Sequence, residues 1–388
     1  MMEKWEENAT EKGRIYHFDI IRAVAIVCVL YNHTNKRGYY LYAFTDSLPL
    51  KIFYIALAAF IAVGVPLFFM VSGALLLKKE ETIADLYKKR VSRILIVLVV
   101  FSIVQWLFRV ADGRDELSAG FLFGKIFTDG VIAPYWFLYA YLAYLMILPL
   151  LRRLVQVMRT EDYRYLIGLL LIVEGVIPTI LYPFGITELN GFFVLPFINR
   201  VVIYPLLGYY MEYVLPENVY ENESAGKCRP TARAVLAIFA VLAFFMVMTL
   251  IRNLPYEDFT VYDKGLYTCS FTALLDMAVY YLCKRAVVRR KPALSPTYGG
   301  NGNDSCGPSL PAGFIISFGG AAFGIYQIEQ IVREHTTGIY DVICGAISKG
   351  AGDIGSFIAC LIWLAVVAAV SYLITIILKK IPGLNKLL

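Results

Sequence analysis

The sequence has little charge for its length. Only 17% of its 388 residues are charged and 59% are hydrophobic, whereas about a quarter of a typical soluble domain is charged. This composition argues against a soluble protein. A cleavable signal peptide is also missing, because the first apolar segment contains Arg22 and ends without a small-residue cleavage site. We therefore expect that segment to remain as the first membrane span.

Cysteine and histidine are few and scattered. The seven cysteines contain no CxxC pair, and their odd number argues against a disulfide framework. The three histidines, His17, His33 and His335, have no metal-ligand spacing. We expect no metal and no nucleic-acid partner, and we interpret the cysteines as small apolar filler.

Long apolar runs are what the sequence does contain. About 20 apolar residues span the hydrocarbon core of a bilayer, and runs this continuous favour helices because barrel strands alternate. The predicted fold class is an all-α, polytopic transmembrane helical bundle of about ten spans. The predicted spans are 17–34, 52–77, 91–109, 134–151, 163–183, 195–214, 233–252, 266–283, 313–333 and 355–378.

Basic residues are distributed unevenly between the predicted connections. Even-numbered connections hold 18 lysines and arginines and odd-numbered connections hold 11. Because basic residues favour the cytoplasm, this bias predicts that both termini are cytoplasmic. We expect one membrane domain over residues 1–388. Residues 284–312, rich in glycine, serine, asparagine and proline, are predicted to form a flexible cytoplasmic loop within it.

Polar side chains interrupt the first span, FDIIRAVAIVCVLYNHT. Arg22 and His33 are eleven residues apart, so they share one helical face and lie about 16 Å apart along the axis. Asp19 lies one turn before Arg22 and can pair with it. Charges inside spans are functional candidates. The alternative is an arginine that snorkels to the headgroups beside a structural histidine.

The segment KKRVSR, residues 88–93, is the densest cationic site of the sequence. Arg90 and Arg93 are three residues apart and share a face, and arginine forks suit phosphates. An ordinary cluster of cytoplasmic positive charge is the alternative interpretation. The segment FGIYQIEQIV is unusually polar for a lipid-facing helix because it places Tyr326 and Glu329 in the ninth span.

These elements together resemble the integral-membrane acyltransferase family 3. The first span matches the family's aspartate, arginine and histidine spacing at Asp19, Arg22 and His33. Three further elements are similar to family motifs, and they are FFMVSG (residues 68–73), RVSR (residues 90–93) and YWFLYAYLAYLMILP (residues 135–149). FGIYQIEQ resembles a fourth motif and keeps its tyrosine, but Glu329 stands where the family commonly has histidine. The likeness runs from residue 14 to about 330.

The resemblance implies a membrane O-acyltransferase. Such an enzyme moves an acyl group, most commonly acetyl, from cytoplasmic acyl-CoA to a hydroxyl of a surface or lipid-linked carbohydrate in the bacterial inner membrane. His33 would be the general base, Arg22 would orient the donor or stabilise an oxyanion, and Asp19 would fix the arginine. Arg90 and Arg93 would hold the phosphates of acyl-CoA, the co-substrate. Carbohydrate or glycolipid acceptors and membrane lipids are the expected partners.

A transporter or flippase of a polar or lipid-linked substrate is the alternative function. Ten spans and charges inside the membrane suit a transporter too. Against this reading, the sequence shows no internal repeat and no paired broken helices. Acyl transfer by the purified protein, or uptake that needs no acyl donor, discriminates between the two functions.

Overall fold

The protein is an all-α membrane bundle. A computed structural model describes residues 15–181, 184, 186, 200–215, 229–253, 271–288 and 310–388. In these ranges the regular elements are helices and no strand occurs, which confirms the predicted fold class. The α-helices, numbered within these ranges, are α1 (Tyr16–Asn32), α2 (Leu48–Ile61), α3 (Gly64–Leu76), α4 (Ile83–Leu86), α5 (Ser92–Ala111), α6 (Ala119–Phe127), α7 (Trp136–Val157), α8 (Thr160–Leu171), α9 (Ile177–Leu181), α10 (Arg200–Tyr209), α11 (Arg229–Asn253), α12 (Phe271–Val288), α13 (Leu310–His335) and α14 (Thr337–Leu378).

Several of these helices are long and apolar enough to cross a membrane. Within the described ranges there are seven such segments, Leu48–Leu76, Ile83–Ala111, Ala133–Val157, Thr160–Leu181, Thr231–Met248, Gly313–His335 and Gly352–Leu378. The protein is therefore a multi-pass membrane protein. The other three predicted spans overlap α1, α10 and α12, which are shorter or carry more charge. The count of ten spans stays a prediction.

Local chemistry explains where the helices begin and bend. The Thr82 side chain accepts a hydrogen bond from the Asp85 amide at 3.1 Å and caps the start of α4. A π-helical turn, Tyr87–Val91, joins α4 to α5. Gly352 has a φ of +50° inside α14, a conformation that glycine tolerates. The helix therefore changes direction there before its apolar half begins.

Close helix crossings hold the bundle together around α1, which packs against α2, α3, α12, α13 and α14. Where α3 crosses α10, a Cβ at Gly73 would overlap the backbone of Pro205, and a Cβ at Gly208 would overlap the backbone of Met70. Small residues permit such approaches between membrane helices. The crossing thus explains the small residue in the FFMVSG segment.

The predicted cytoplasmic loop 284–312 falls mainly outside the described residues. Helix α12 continues to Val288 and α13 begins at Leu310, so both ends of the predicted loop are helical. Residues 289–309 lie outside the described ranges, and the flexible loop and the single domain stay predictions.

Candidate functional site

The face of α1 carries the polar residues that the sequence analysis singled out. Helix α1 runs unbroken from Tyr16 to Asn32, and His33 follows it in helical conformation. The eleven-residue spacing therefore keeps Arg22 and His33 on one face, about 16 Å apart along the axis. Arg22 and His33 are both partly exposed, with 30% and 16% of their side chains accessible. Neither side chain is sealed in the core.

Asp19 pairs with Arg22 as the sequence predicts. The Arg22 Nη1 atom donates to Asp19 Oδ1 at 3.2 Å, and the carboxylate is fully buried. On the neighbouring helix α13, a Cβ at Gly319 would overlap the Asp19 carbonyl. This close contact fixes the first turn of α1 against α13, and the buried carboxylate fixes the guanidinium.

His33 contacts Glu329, which the sequence marks as an unusual acid in a span and a departure from the family motif but to which it assigns no role. His33 Nδ1 lies 2.7 Å from Glu329 Oε1, and the Glu329 side chain is fully buried. Arg333 Nε, one turn further along α13, lies 3.3 Å from Glu329 Oε2. Glu329 thus stands between an imidazole and a guanidinium, and the buried charge is paired on both sides.

The two arginines of the RVSR segment, Arg90 and Arg93, line one cavity. The cavity has a volume of about 340 Å³ and is lined by Lys79, Lys89, Arg90 and Arg93, by three carboxylates and by an apolar wall. Arg90 lies in the π-helical turn and Arg93 in the first turn of α5. π-Helical turns occur often at functional sites. The predicted pairing of Arg90 with Arg93 on one surface is present in the structure.

Glu81 anchors the floor of this cavity. Arg90 Nε lies 2.9 Å from Glu81 Oε2, and Arg152 Nη2 lies 3.0 Å from the same oxygen. Burial alone raises the pKa of Glu81, but hydrogen bonds from Arg90 and Arg152 outweigh burial and hold its pKa below the usual value. Arg152 also donates to the Leu76 carbonyl at 2.9 Å. The carboxylate therefore ties three segments together.

Arg93 differs from Arg90 in that it has no ion pair with a carboxylate of the described residues. Its Nη2 atom donates to the Leu387 carbonyl at 3.2 Å, and no carboxylate of the described residues lies within ion-pair distance of it. A guanidinium bonded only to a neutral carbonyl can take an anionic ligand without first giving up an ion pair. Of the two arginines, Arg93 is therefore the one that an anion could reach without breaking an ion pair.

The structure does not bring all the predicted site residues into one pocket. No α1 residue is among the described residues that line the cationic cavity. The candidate site therefore has two parts, the cationic cavity and the face of α1 that carries His33.

The three histidines lie in separate environments. His17 Nε2 lies 3.0 Å from Glu212 Oε2, and His335 Nε2 lies 3.4 Å from Asp112 Oδ1. No group of three histidine, cysteine or acidic side chains that could hold a metal occurs in the part of the chain that the structure describes.

The model of one family, described as an acyltransferase domain, matches residues 15–380, nearly the whole chain. No curated protein and no solved structure matches the sequence.

Proposed function

Because the chain belongs to the integral-membrane acyltransferase family 3, we propose that it moves an acyl group, acetyl in the simplest case, from acyl-CoA to a carbohydrate hydroxyl. The donor enters from the cytoplasm, and the acceptor is a surface or lipid-linked carbohydrate. The enzyme works as a multi-pass protein of the bacterial inner membrane. The family membership supports acyl transfer, and the donor, the acceptor and the membrane are parts of the proposal.

The contact between His33 and Glu329 is the observation that carries this proposal. Glu329 can only accept a hydrogen bond as a carboxylate, so His33 Nδ1 carries the proton at their 2.7 Å contact. His33 Nε2 then holds the lone pair and can act as a base. A buried carboxylate that orients an imidazole in this way also stabilises the imidazolium formed during catalysis.

The chemical step follows from that arrangement. The acceptor hydroxyl loses its proton to His33 Nε2 while its oxygen attacks the thioester carbonyl carbon. The tetrahedral intermediate collapses, and the carbon–sulfur bond breaks. The thiolate of coenzyme A then takes the proton back from His33, so the imidazole ends neutral and the acceptor carries the new ester. Glu329 keeps its charge throughout, which makes it a positioning residue.

The cationic cavity supplies the binding energy for the donor. Coenzyme A carries several phosphate charges, and Arg90, Arg93, Lys79 and Lys89 line one small space. Arginine binds phosphate oxygens through two parallel hydrogen bonds, and lysine adds point charge. Arg93 binds first in this proposal because no carboxylate of the described residues competes for it.

Of the two roles considered for Arg22, the proposal adopts orientation of the donor. Arg22 and His33 are separated by about 16 Å along α1, so their side chains cannot contact the same reacting carbonyl. Arg22 therefore orients the donor below the reaction centre and leaves oxyanion stabilisation to other groups. The Asp19 contact at 3.2 Å holds the guanidinium in a fixed direction for that task.

The first test is a His33→Ala variant in membranes, assayed by transfer of labelled acetyl from acetyl-CoA to surface glycan. Loss of the base is expected to lower the transfer rate about 100- to 10,000-fold. His335→Ala is the matched control, because His335 is exposed and lies outside the proposed reaction centre. Normal transfer by a well-expressed His33→Ala variant would remove the assignment of the base.

A second test distinguishes an acyltransferase from a transporter. Purified protein in lipid vesicles is expected to release free coenzyme A from acetyl-CoA only when a carbohydrate acceptor is present. Movement of a substrate across the vesicle membrane without acetyl-CoA would favour the transporter and contradict the proposed reaction.

A further inference from the structure

The cationic cavity has one apolar wall. Ile94, Tyr141 and Leu145 are its apolar lining residues, and Tyr141 and Leu145 both belong to α7. A ligand held there meets both charged and apolar groups. The coenzyme has the same division, because its phosphates are charged and its pantetheine arm is neutral.

The Tyr141 side chain is held in a defined orientation. The Ser72 hydroxyl donates to the Tyr141 hydroxyl oxygen at 3.3 Å. The Tyr141 ring stacks on the Phe137 ring, with centroids 5.8 Å apart and an interplanar angle of 25°. Because the Tyr141 oxygen accepts from Ser72, its own proton is available to donate to a ligand.

A row of aromatic side chains leads from this wall towards His33 and Glu329. The Phe137 ring meets the Tyr326 ring edge-on, with centroids 5.5 Å apart. Tyr326 lies one turn before Glu329 on α13, and Glu329 contacts His33. Tyr141, Phe137 and Tyr326 thus connect the cavity wall to the helix turn that holds the base.

We propose that Tyr141 positions the pantetheine arm of acyl-CoA where the arm leaves the phosphate-binding cavity, and that Phe137 and Tyr326 guide the thioester from there towards His33. This inference rests on the proposed function. The arm carries two amide groups, and an amide that leaves water without a hydrogen-bond partner is costly to bury. The Tyr141 hydroxyl supplies a donor to an amide carbonyl, and the stacked rings supply apolar contact for the rest of the arm.

The size of the cavity supports separate binding sites for the phosphates and for the pantetheine arm. Its volume of about 340 Å³ is at the lower end of the usual range for small-molecule sites, about 300–1,000 Å³. A space of that size suits the phosphorylated end of the coenzyme, and the arm must continue beyond it. The apolar wall at Tyr141 is the side of the cavity that faces α7 and the row of aromatic side chains.

The test compares two ligands on full-length protein in detergent micelles. Coenzyme A contains the arm, and 3′-phospho-ADP contains only the phosphorylated end. In titration calorimetry, Tyr141→Leu is expected to lower the affinity for coenzyme A about tenfold. Its affinity for 3′-phospho-ADP should equal that of the wild-type protein. Tyr139→Leu is the matched control, because Tyr139 lies on the same helix and donates to the Ile126 carbonyl at 2.6 Å instead.

A second variant distinguishes loss of the Tyr141 hydroxyl from a folding defect. Tyr141→Phe keeps the ring and removes only the hydroxyl, so it is expected to raise KM for acetyl-CoA about 3- to 10-fold with kcat nearly unchanged. A general packing defect would lower kcat as well.

The role of Tyr141 would be overturned if Tyr141→Leu lowered the affinity for both ligands equally. It would also be overturned if the substitution lowered the affinity for neither ligand. Failure of the wild-type protein to bind either ligand would instead refute acyl-CoA as donor, and the inference with it.

Discussion

Glu329 is the buried carboxylate that contacts His33 and, in the proposed reaction, orients its imidazole. Its carboxylate is fully buried, and its two oxygens face His33 at 2.7 Å and Arg333 at 3.3 Å. An unpaired charge at that depth would cost several kcal/mol, so all three groups stabilise one another. In the proposed reaction, Glu329 thereby fixes the imidazole in the tautomer that leaves Nε2 free to accept a proton.

Replacing Glu329 by glutamine tests this role. The amide keeps the size of the side chain and removes its charge, so the imidazolium formed during transfer loses its stabilising partner. We expect Glu329→Gln to lower kcat about 100-fold and to leave KM for acetyl-CoA unchanged, as measured in steady-state kinetics.

Glu334→Gln is the control for that substitution. Glu334 lies on the same helix but pairs with Arg114 at 2.8 Å, away from His33. Wild-type kcat in Glu329→Gln would show that His33 does not need the carboxylate.

Single residues were predictable where the chain itself places them together. Asp19 and Arg22 are one helical turn apart, so their contact follows from spacing alone. The partnership of His33 with Glu329 spans 296 positions and depends on how α1 packs against α13. The sequence showed Glu329 as an unusual acid in a span, but it did not show which group that acid would meet.

At the scale of elements, the connection between α3 and α5 depends on Glu81. Arg90 and Arg152 both contact this carboxylate, and their hydrogen bonds outweigh its burial and lower its pKa. A carboxyl whose pKa is lowered by folding stabilises the fold above its ordinary pKa. That stability is lost as the pH falls through the lowered value, when the carboxylate is protonated.

This linkage predicts acid sensitivity at the cationic cavity. We expect the melting temperature of the detergent-solubilised protein to fall between pH 7 and about pH 3, mainly below the ordinary glutamate pKa of about 4.3, and part of that fall to disappear in Glu81→Gln. Glu81→Gln should also melt below wild type at pH 7, because Arg90 and Arg152 lose their shared partner.

The neighbouring Glu80 provides the control. It is exposed, so Glu80→Gln should melt like wild type at both pH values. A pH dependence that is the same in wild type and in Glu81→Gln would contradict the linkage.

Helix positions were predictable from hydropathy, but helix ends were not. The span predicted over residues 134–151 corresponds to α7, which continues to Val157. Its last turn is more polar, and hydropathy detects only the part of a helix that lies in hydrocarbon. The π-helical turn Tyr87–Val91 has no hydropathy signal either, although it places Arg90 at the cavity.

At the scale of the whole molecule, the sequence predicts the orientation of the protein in the membrane. The bias of basic residues places the connection around Lys88 in the cytoplasm and the connection that contains Asp129 outside. In a cysteine-free background, Asp129→Cys is expected to react with a membrane-impermeant maleimide on intact cells. Lys88→Cys should react only after the cells are permeabilised, and the opposite pattern would invert the topology and the entry side of the donor.

The crossing of α3 and α10 limits how this bundle can move. Backbone meets backbone at Gly73 and Gly208, and close-packed interiors resist small displacements. The two helices can therefore neither slide nor separate without losing that fit, and they form a rigid pivot. In the proposed reaction, an opening that admits the coenzyme arm would therefore have to come from movement of α7 or α13, whose Phe137 and Tyr326 rings meet edge-on, and not from separation of α3 and α10.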